Sequence, residues 1–163
     1  MRAPAAFVYR LNSQWSFAAP LDAVWRAIAD ADGWPSWWPG IQSTRLADGD
    51  GDGRGLGALR RYCCRGALPL QLRFDARITR IEPPHLIEGR ACGDLDGVGR
   101  CRLSHARGQT RVCFDWQVVH QRGLWPRALA PLAHALLRWN HDRLMAAGGR
   151  GLERHLARQA ATA

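Results

Sequence analysis

The sequence predicts an α+β fold: a curved antiparallel sheet of about seven strands around one long C-terminal helix, with two short helices after the first strand. Three observations carry this. First, Leu124 to Leu156 reads as one helix. At about 100° per residue, Leu129, Ala133, Leu136, Leu137, Leu144 and Ala147 share a face, opposed by Arg127, Arg138 and Asp142. Second, the chain ahead of it alternates apolar and polar residues in strand-length stretches. Third, short turns join these stretches, which favours an antiparallel meander with one wet face. A helix with one apolar face and strands with one apolar face each bury both by packing together, and a bound molecule would sit between them.

Taken in order, Tyr9, Leu11, Ser13, Trp15 and Phe17 alternate with Arg10, Asn12, Gln14 and Ser16 and form the first strand. Pro20 suits a first helical turn and opens a short amphipathic helix, Leu21 to Asp30, with Leu21, Val24, Trp25 and Ile28 at helical spacing. Asp32-Gly33 breaks it. Trp34-Pro35-Ser36-Trp37-Trp38-Pro39-Gly40 follows as a second helical turn or a tight loop. This corner either plugs one end of the core or forms an aromatic lip, at a pocket or against a membrane surface.

Ile41 to Leu46 is the second strand, and the Asp/Gly-rich stretch Asp48 to Gly57 is a mobile hairpin loop. Asp48, Asp50, Asp52 and Gly53 imitate half of a calcium loop, but Leu59 stands where the bidentate glutamate belongs. Gly53, Gly55 and Ala58 imitate a dinucleotide fingerprint, but a strand follows where a helix is required. Leu59 to Arg65 is a strand of open parity, with Leu59 on one side and Tyr62 and Cys64 on the other. Gln71 to Ile81 points Leu72, Phe74, Ala76 and Ile78 one way and Arg73, Asp75, Arg77 and Thr79 the other. Leu86 to Cys92, Gly97 to Ser104 and Thr110 to His120 are three more strands. The last places Val112, Phe114, Trp116 and Val118 on one face, toward the helix. Pro126 is placed like a first-turn proline of the final helix, and Pro131 should kink that helix or mark its true start.

This order resembles the START-like superfamily, also called Bet v 1-like or SRPBCC, with its helix-grip fold. Within it the chain is similar to the polyketide cyclase/dehydrase and lipid-transport branch. The residues that carry the resemblance are Phe17-Ala18-Ala19-Pro20-Leu21-Asp22-Ala23-Val24-Trp25, the Trp34–Gly40 segment and Arg77-Ile78-Thr79-Arg80-Ile81-Glu82-Pro83-Pro84. Gly97-Val98-Gly99-Arg100, Thr110-Arg111-Val112 and the terminal helix complete it. The resemblance covers nearly the whole chain, read as one domain over residues 1–163. It implies a cavity between helix and sheet and supplies no fixed catalytic set, since this fold hosts cyclases, hydrolases, receptors and carriers alike.

Composition narrows the function. No run of about 20 apolar residues exists to span a membrane. Met1 to Leu11 lacks the pattern of an export signal. The five cysteines, Cys63, Cys64, Cys92, Cys101 and Cys113, form no Cys-x-x-Cys pair and read as free thiols in a reducing cytoplasm. The net charge of +9 comes from arginine without any lysine, scattered rather than blocked. A scattered solvated face predicts weak, salt-sensitive adhesion to polyanions and no specific nucleic acid. Transient contact with a membrane stays open, as does the oligomeric state.

Catalytic signals are sparse. No serine stands in a nucleophile elbow, the six histidines have no metal-ligand spacing, and Glu82, Glu88 and Glu153 are isolated. His141 beside Asp142 lies on the flank of the helix and reads as a surface or edge histidine. No metal, nucleotide or other cofactor is expected. The sequence therefore points to a carrier or sensor of an apolar or amphipathic small molecule, such as a lipid or polyketide-like ligand. The alternative is a cyclase/aromatase acting in the same cavity. The candidate ligand-binding residues are Trp38, Arg60, Tyr62, Leu72, Phe74, Phe114, Trp116, Leu136, Asn140 and Leu144, with the catalytic residues unassigned. Asn140 lies within about 20° of the centre of the apolar face and needs a partner there. The candidates are a backbone carbonyl, Tyr62, Arg60, water or the ligand, and Asn140→Leu is expected to leave folding intact or improved.

Overall fold

The computed structural model describes residues 8–48, 55–120 and 130–162. The chain runs β1 (Val8–Phe17), α1 (Leu21–Ala29), a 3₁₀ turn (Ala31–Gly33), α2 (Trp34–Trp37) and β2 (Ile41–Asp48). It continues through β3 (Leu59–Arg65), β4 (Gln71–Glu82), β5 (Leu86–Gly93), β6 (Leu95–Ala106) and β7 (Gln109–His120) to α3 (Ala130–Ala161). Leu124, Pro126, Arg127 and Leu129 lie outside the described residues, as do Asp50, Asp52 and Gly53 and the side chains of Pro131 and Ala133.

The seven strands form one sheet in the order β1-β7-β6-β5-β4-β3-β2, every neighbouring pair antiparallel. A meander of consecutive strands explains all pairings but one, since β1 crosses back to pair with β7. The two edge strands, β1 and β2, are thus the ones joined by α1, the 3₁₀ turn and α2. Register shifts in β2–β3 and between Ile78 and Arg80 in β4–β5 mark bulges, which bend strands and help the sheet curl. The architecture is the expected helix grip.

The strand phases follow the alternation in the sequence. Trp15, Phe17, Val112, Phe114 and Val118 are buried, while Arg73 and Arg111 are exposed. The parity of β3 resolves with Arg60, Tyr62 and Cys64 inward and Arg61 outward. On the outer face, arginines meet carboxylates of the same or neighbouring strands: Arg61 with Asp75, Arg100 with Glu88 and Arg102 with Asp115. These pairs are exposed, and water and salt screen them, so they add little to stability. They do explain why the positive charge is dispersed over the surface.

The tryptophan corner is buried against α3. Trp37 and Trp38 belong to the core, together with Trp15, Met145, Leu152 and Leu156. The contact depends on glycines of the helix. The Trp38 indole donates from Nε1 to the carbonyl of Leu144 at 3.0 Å, and a side chain at Gly148 would occupy the indole's place. A Cβ at Gly151 would likewise fall inside the carbonyl oxygen of Trp37. Gly148 and Gly151 thus seat the corner against the helix.

The long helix differs from expectation in phase. Its inward residues are Leu137, Asn140, His141, Leu144, Met145, Gly148, Gly151, Leu152 and Leu156. Their centre is rotated by roughly 70° from the predicted apolar face, taking about 100° per residue. The predicted face weighs heavily the leucines and alanines before residue 138. The packed face is set by the later half, where Gly148 and Gly151 meet the tryptophans and Met145, Leu152 and Leu156 enter the core.

Candidate functional site

Where α3 passes over the concave face, small and planar side chains leave a cavity of about 240 Å³. Leu72, Phe74 and Ala76 of β4, Tyr62 of β3, and Phe114 and Trp116 of β7 build its sheet wall. The helix wall is Leu137, Asn140, His141, Leu144 and Met145, and one border is formed by Ile28, Ala31, Trp34 and Trp38. The rings order themselves along the sheet. Trp34 lies 5.7 Å from Tyr62, Tyr62 stacks on Phe74 at 5.3 Å, and Phe74 meets Trp116 edge-on at 6.2 Å. Trp116 faces Gly99 across the β6–β7 pairing, and a Cβ there would lie 2.8 Å from its indole. Glycine at that position lets the ring lie down on the sheet and leaves the space above it open.

Nine of the ten candidate residues border this cavity: Trp38, Arg60, Tyr62, Leu72, Phe74, Phe114, Trp116, Asn140 and Leu144. Leu136 does not. The rotation of α3 puts Leu137 there instead and leaves Leu136 half-buried at the flank. The same rotation brings in His141, which the sequence reading assigns to the surface or edge. Its side chain is only 15% exposed and borders the cavity. Its inclusion, like that of Met145, was legible only by weighting the C-terminal half of the helix.

Few polar groups reach this space. Arg60, 3% exposed, makes a two-pronged ion pair with Asp32 at 2.6 and 2.9 Å, which raises its pKa and keeps it a cation. It therefore does not satisfy Asn140, one of the partners considered from sequence. Burial pushes the Tyr62 phenol up to about 12, so at neutral pH it presents an O–H donor. Asn140 accepts from the backbone N–H of Leu68 at 2.9 Å, and its amide packs where a side chain on Gly66 would stand. The amide thus pins the β3–β4 turn to the helix. Asn140→Leu orphans that N–H and is expected to destabilise the fold by about 1–3 kcal/mol, read from urea unfolding. This reverses the expectation from sequence that folding would be intact or improved.

His141 is the unbalanced group. Its Nδ1 faces the Asp142 carboxylate at 3.4 Å, while Nε2 is buried and has no hydrogen-bond partner among the described residues. A buried polar atom left so costs on the order of 1–3 kcal/mol. Burial lowers its pKa, outweighing the opposite pull of Asp142, so the ring is neutral at pH 7.

Two thiols, Cys64 and Cys101, also border the cavity. Burial raises both pKa values, that of Cys64 to about 12, which suppresses the reactive thiolate. Cys92 is exposed. With a thiol reagent at neutral pH, Cys92 should label fast and Cys64 and Cys101 at least about tenfold more slowly, as mapped by peptide mass spectrometry. A ligand in the cavity should slow the latter two further and leave Cys92 unchanged.

Among the described residues no cluster of three or more His, Cys, Asp or Glu could hold a metal ion, and no helix is long and apolar enough to cross a membrane. Gly55 and Ala58 lead into strand β3 rather than a helix.

Fold and cavity together define a helix-grip protein with an apolar internal site. The chain belongs to the family described as polyketide cyclase / dehydrase and lipid transport, whose sequence profile matches residues 10–157. A search of curated proteins finds no match. Among solved structures, the chain is similar to the Zhui aromatase/cyclase from Streptomyces sp. R1128, with 16% identity, 94% of this chain and 96% of that one covered, and a TM-score of 0.76. A START superfamily protein from Mycobacterium smegmatis gives 17% identity, 92% and 98% coverage and a TM-score of 0.68. Ginseng major latex-like protein 151 from Panax ginseng gives 12%, 91% and 97%, and 0.67. At these identities the likeness is one of fold. Family and fold support a role in hydrophobic ligand binding or of polyketide cyclase type.

Proposed function

We propose that the protein is a carrier or sensor that binds an apolar or amphipathic small molecule between the sheet and α3. The observation that supports this most is the cavity itself: about 240 Å³, walled by Leu72, Phe74, Phe114, Trp116 and Leu144, with only a few polar groups. Ligand sites usually have this character, with apolar walls giving affinity and a few polar atoms giving orientation. The volume lies below the roughly 300–1,000 Å³ of drug-sized sites, which favours a ligand of one or two rings or a short chain. In this reading Trp38, Tyr62, Phe74, Trp116 and Leu144 contact the ligand, while Arg60 and Asn140 hold the walls in place through Asp32 and Leu68. The polarity-sensitive two-ring dye 6-propionyl-2-(dimethylamino)naphthalene tests it. Saturable one-to-one fluorescence enhancement with the folded protein is expected. Enhancement that never saturates, or that appears only on unfolding, would count against it.

A second reading, cyclisation of a reactive chain folded in the same cavity, is favoured by the family's description. Shaped confinement would then supply the catalysis through orientation. Turnover of a poly-β-ketone mimic into a ringed product, absent from a sample whose cavity is blocked, would select this reading over carriage.

A further inference from the structure

We infer that His141 is the polar anchor of the cavity: its Nε2 accepts a hydrogen bond from a hydroxyl on an otherwise apolar ligand. The inference rests on the cavity-binding reading above and adds the chemistry of the ligand to it.

His141 borders the cavity from the helix side, and its Nε2 is the one buried side-chain nitrogen or oxygen without a partner among the described residues. Two other polar groups that border the cavity are engaged within the protein. The Arg60 guanidinium grips Asp32, and Asn140 Oδ1 takes the Leu68 N–H. Asp142 fixes which proton His141 carries. A carboxylate cannot donate, so the contact at 3.4 Å holds the proton on Nδ1 and leaves Nε2 as a bare acceptor. Burial keeps the ring neutral, so this acceptor persists at pH 7.

An acceptor of this kind selects its ligand. A phenol or enol hydroxyl satisfies it, a methyl group does not, and a carboxylate would place acceptor against acceptor. Because Nε2 is covered in the present arrangement, the incoming hydroxyl must displace a neighbouring side chain. Side-chain adjustments of this kind commonly accompany binding.

The test compares 2-naphthol with 2-methylnaphthalene, which differ by hydroxyl against methyl, in titrations of the wild type, His141→Phe and His141→Gln. His141→Phe should weaken 2-naphthol about tenfold, the worth of one hydrogen bond, and leave 2-methylnaphthalene unchanged or tighter. His141→Gln, which restores a carbonyl acceptor, should recover part of the loss. Equal losses for both probes would show that His141 only packs and would overturn the anchor alone. Binding of neither probe to the wild type would overturn the cavity reading and this one with it. A measurement free of variants runs beside these: the ¹⁵N resonance of His141 Nε2 should move on adding 2-naphthol and stay still with 2-methylnaphthalene. A shift of equal size with both would also overturn the anchor.

Discussion

Gly151→Ala is expected to destabilise the protein by about 2–3 kcal/mol, although alanine is the better helix former by about 1 kcal/mol. Gly151 lies within α3, and its missing Cβ is the space filled by the Trp37 carbonyl. That neighbour is backbone, at the end of α2, and cannot rotate away as a side chain can. The helix must either shift off the tryptophan corner or distort it, and both open the packing of Trp37, Trp38 and Leu152. Gly149→Ala is the internal comparison. Its Cβ would come 3.0 Å from the ring of Trp15, a side chain with some freedom to yield, so the change should stay within about 1 kcal/mol. Urea unfolding of the two variants, compared at unchanged slope, reads the difference. A Gly151→Ala protein more stable than the wild type would mean that α3 does not sit this close to the corner.

Ala76→Phe is expected to abolish ligand binding while keeping the fold. Ala76 points from β4 into the cavity, opposite Arg60 on β3 and Ala91 on β5. A phenyl group there enters empty space rather than a packed core. The usual penalty of overpacking is therefore offset by new apolar contact, and stability should stay within about 1 kcal/mol of the wild type. The ring takes up the room a ligand needs, so dye affinity should fall at least about a hundredfold, close to 3 kcal/mol. Preserved affinity with a preserved melting temperature would place the binding site elsewhere.

The strands were legible because one face of each meets the core and the other meets water. Val112, Phe114, Trp116 and Val118 against Arg111, Cys113, Asp115 and Gln117 is a period-two pattern that a one-residue slip would invert. The parity of β3 was not legible, because its inward residues include Arg60 and its outward ones include Cys63. The pairing with Asp32, 28 residues earlier in the chain, makes a buried arginine tolerable there. The candidate site was mostly legible for the same reason as the strands: once a face is known to be inward, its residues line whatever space remains.

The helix carried the larger error. Leucines and alanines before residue 138 outweigh Met145, Leu152 and Leu156 in the apolar pattern, which favours Leu136 over His141. Glycine contributes nothing to such a pattern, yet Gly148 and Gly151 fix the rotation of α3 by admitting Trp38 and Trp37. Close approach at a missing side chain is a tertiary fact. Similarly, a polar Asn140 on an apolar face requires a partner, but that partner, the Leu68 N–H, is set by where the β3–β4 turn lies beneath the helix.

In the function proposed, the space between sheet and helix holds a small apolar molecule. Native mass spectrometry of the protein purified under gentle conditions from its own host tests it most directly. The expected spectrum shows the chain carrying one additional small mass, released on denaturation and missing from Ala76→Phe prepared in parallel. A spectrum of the bare chain alone, or an added mass that Ala76→Phe retains, would contradict it.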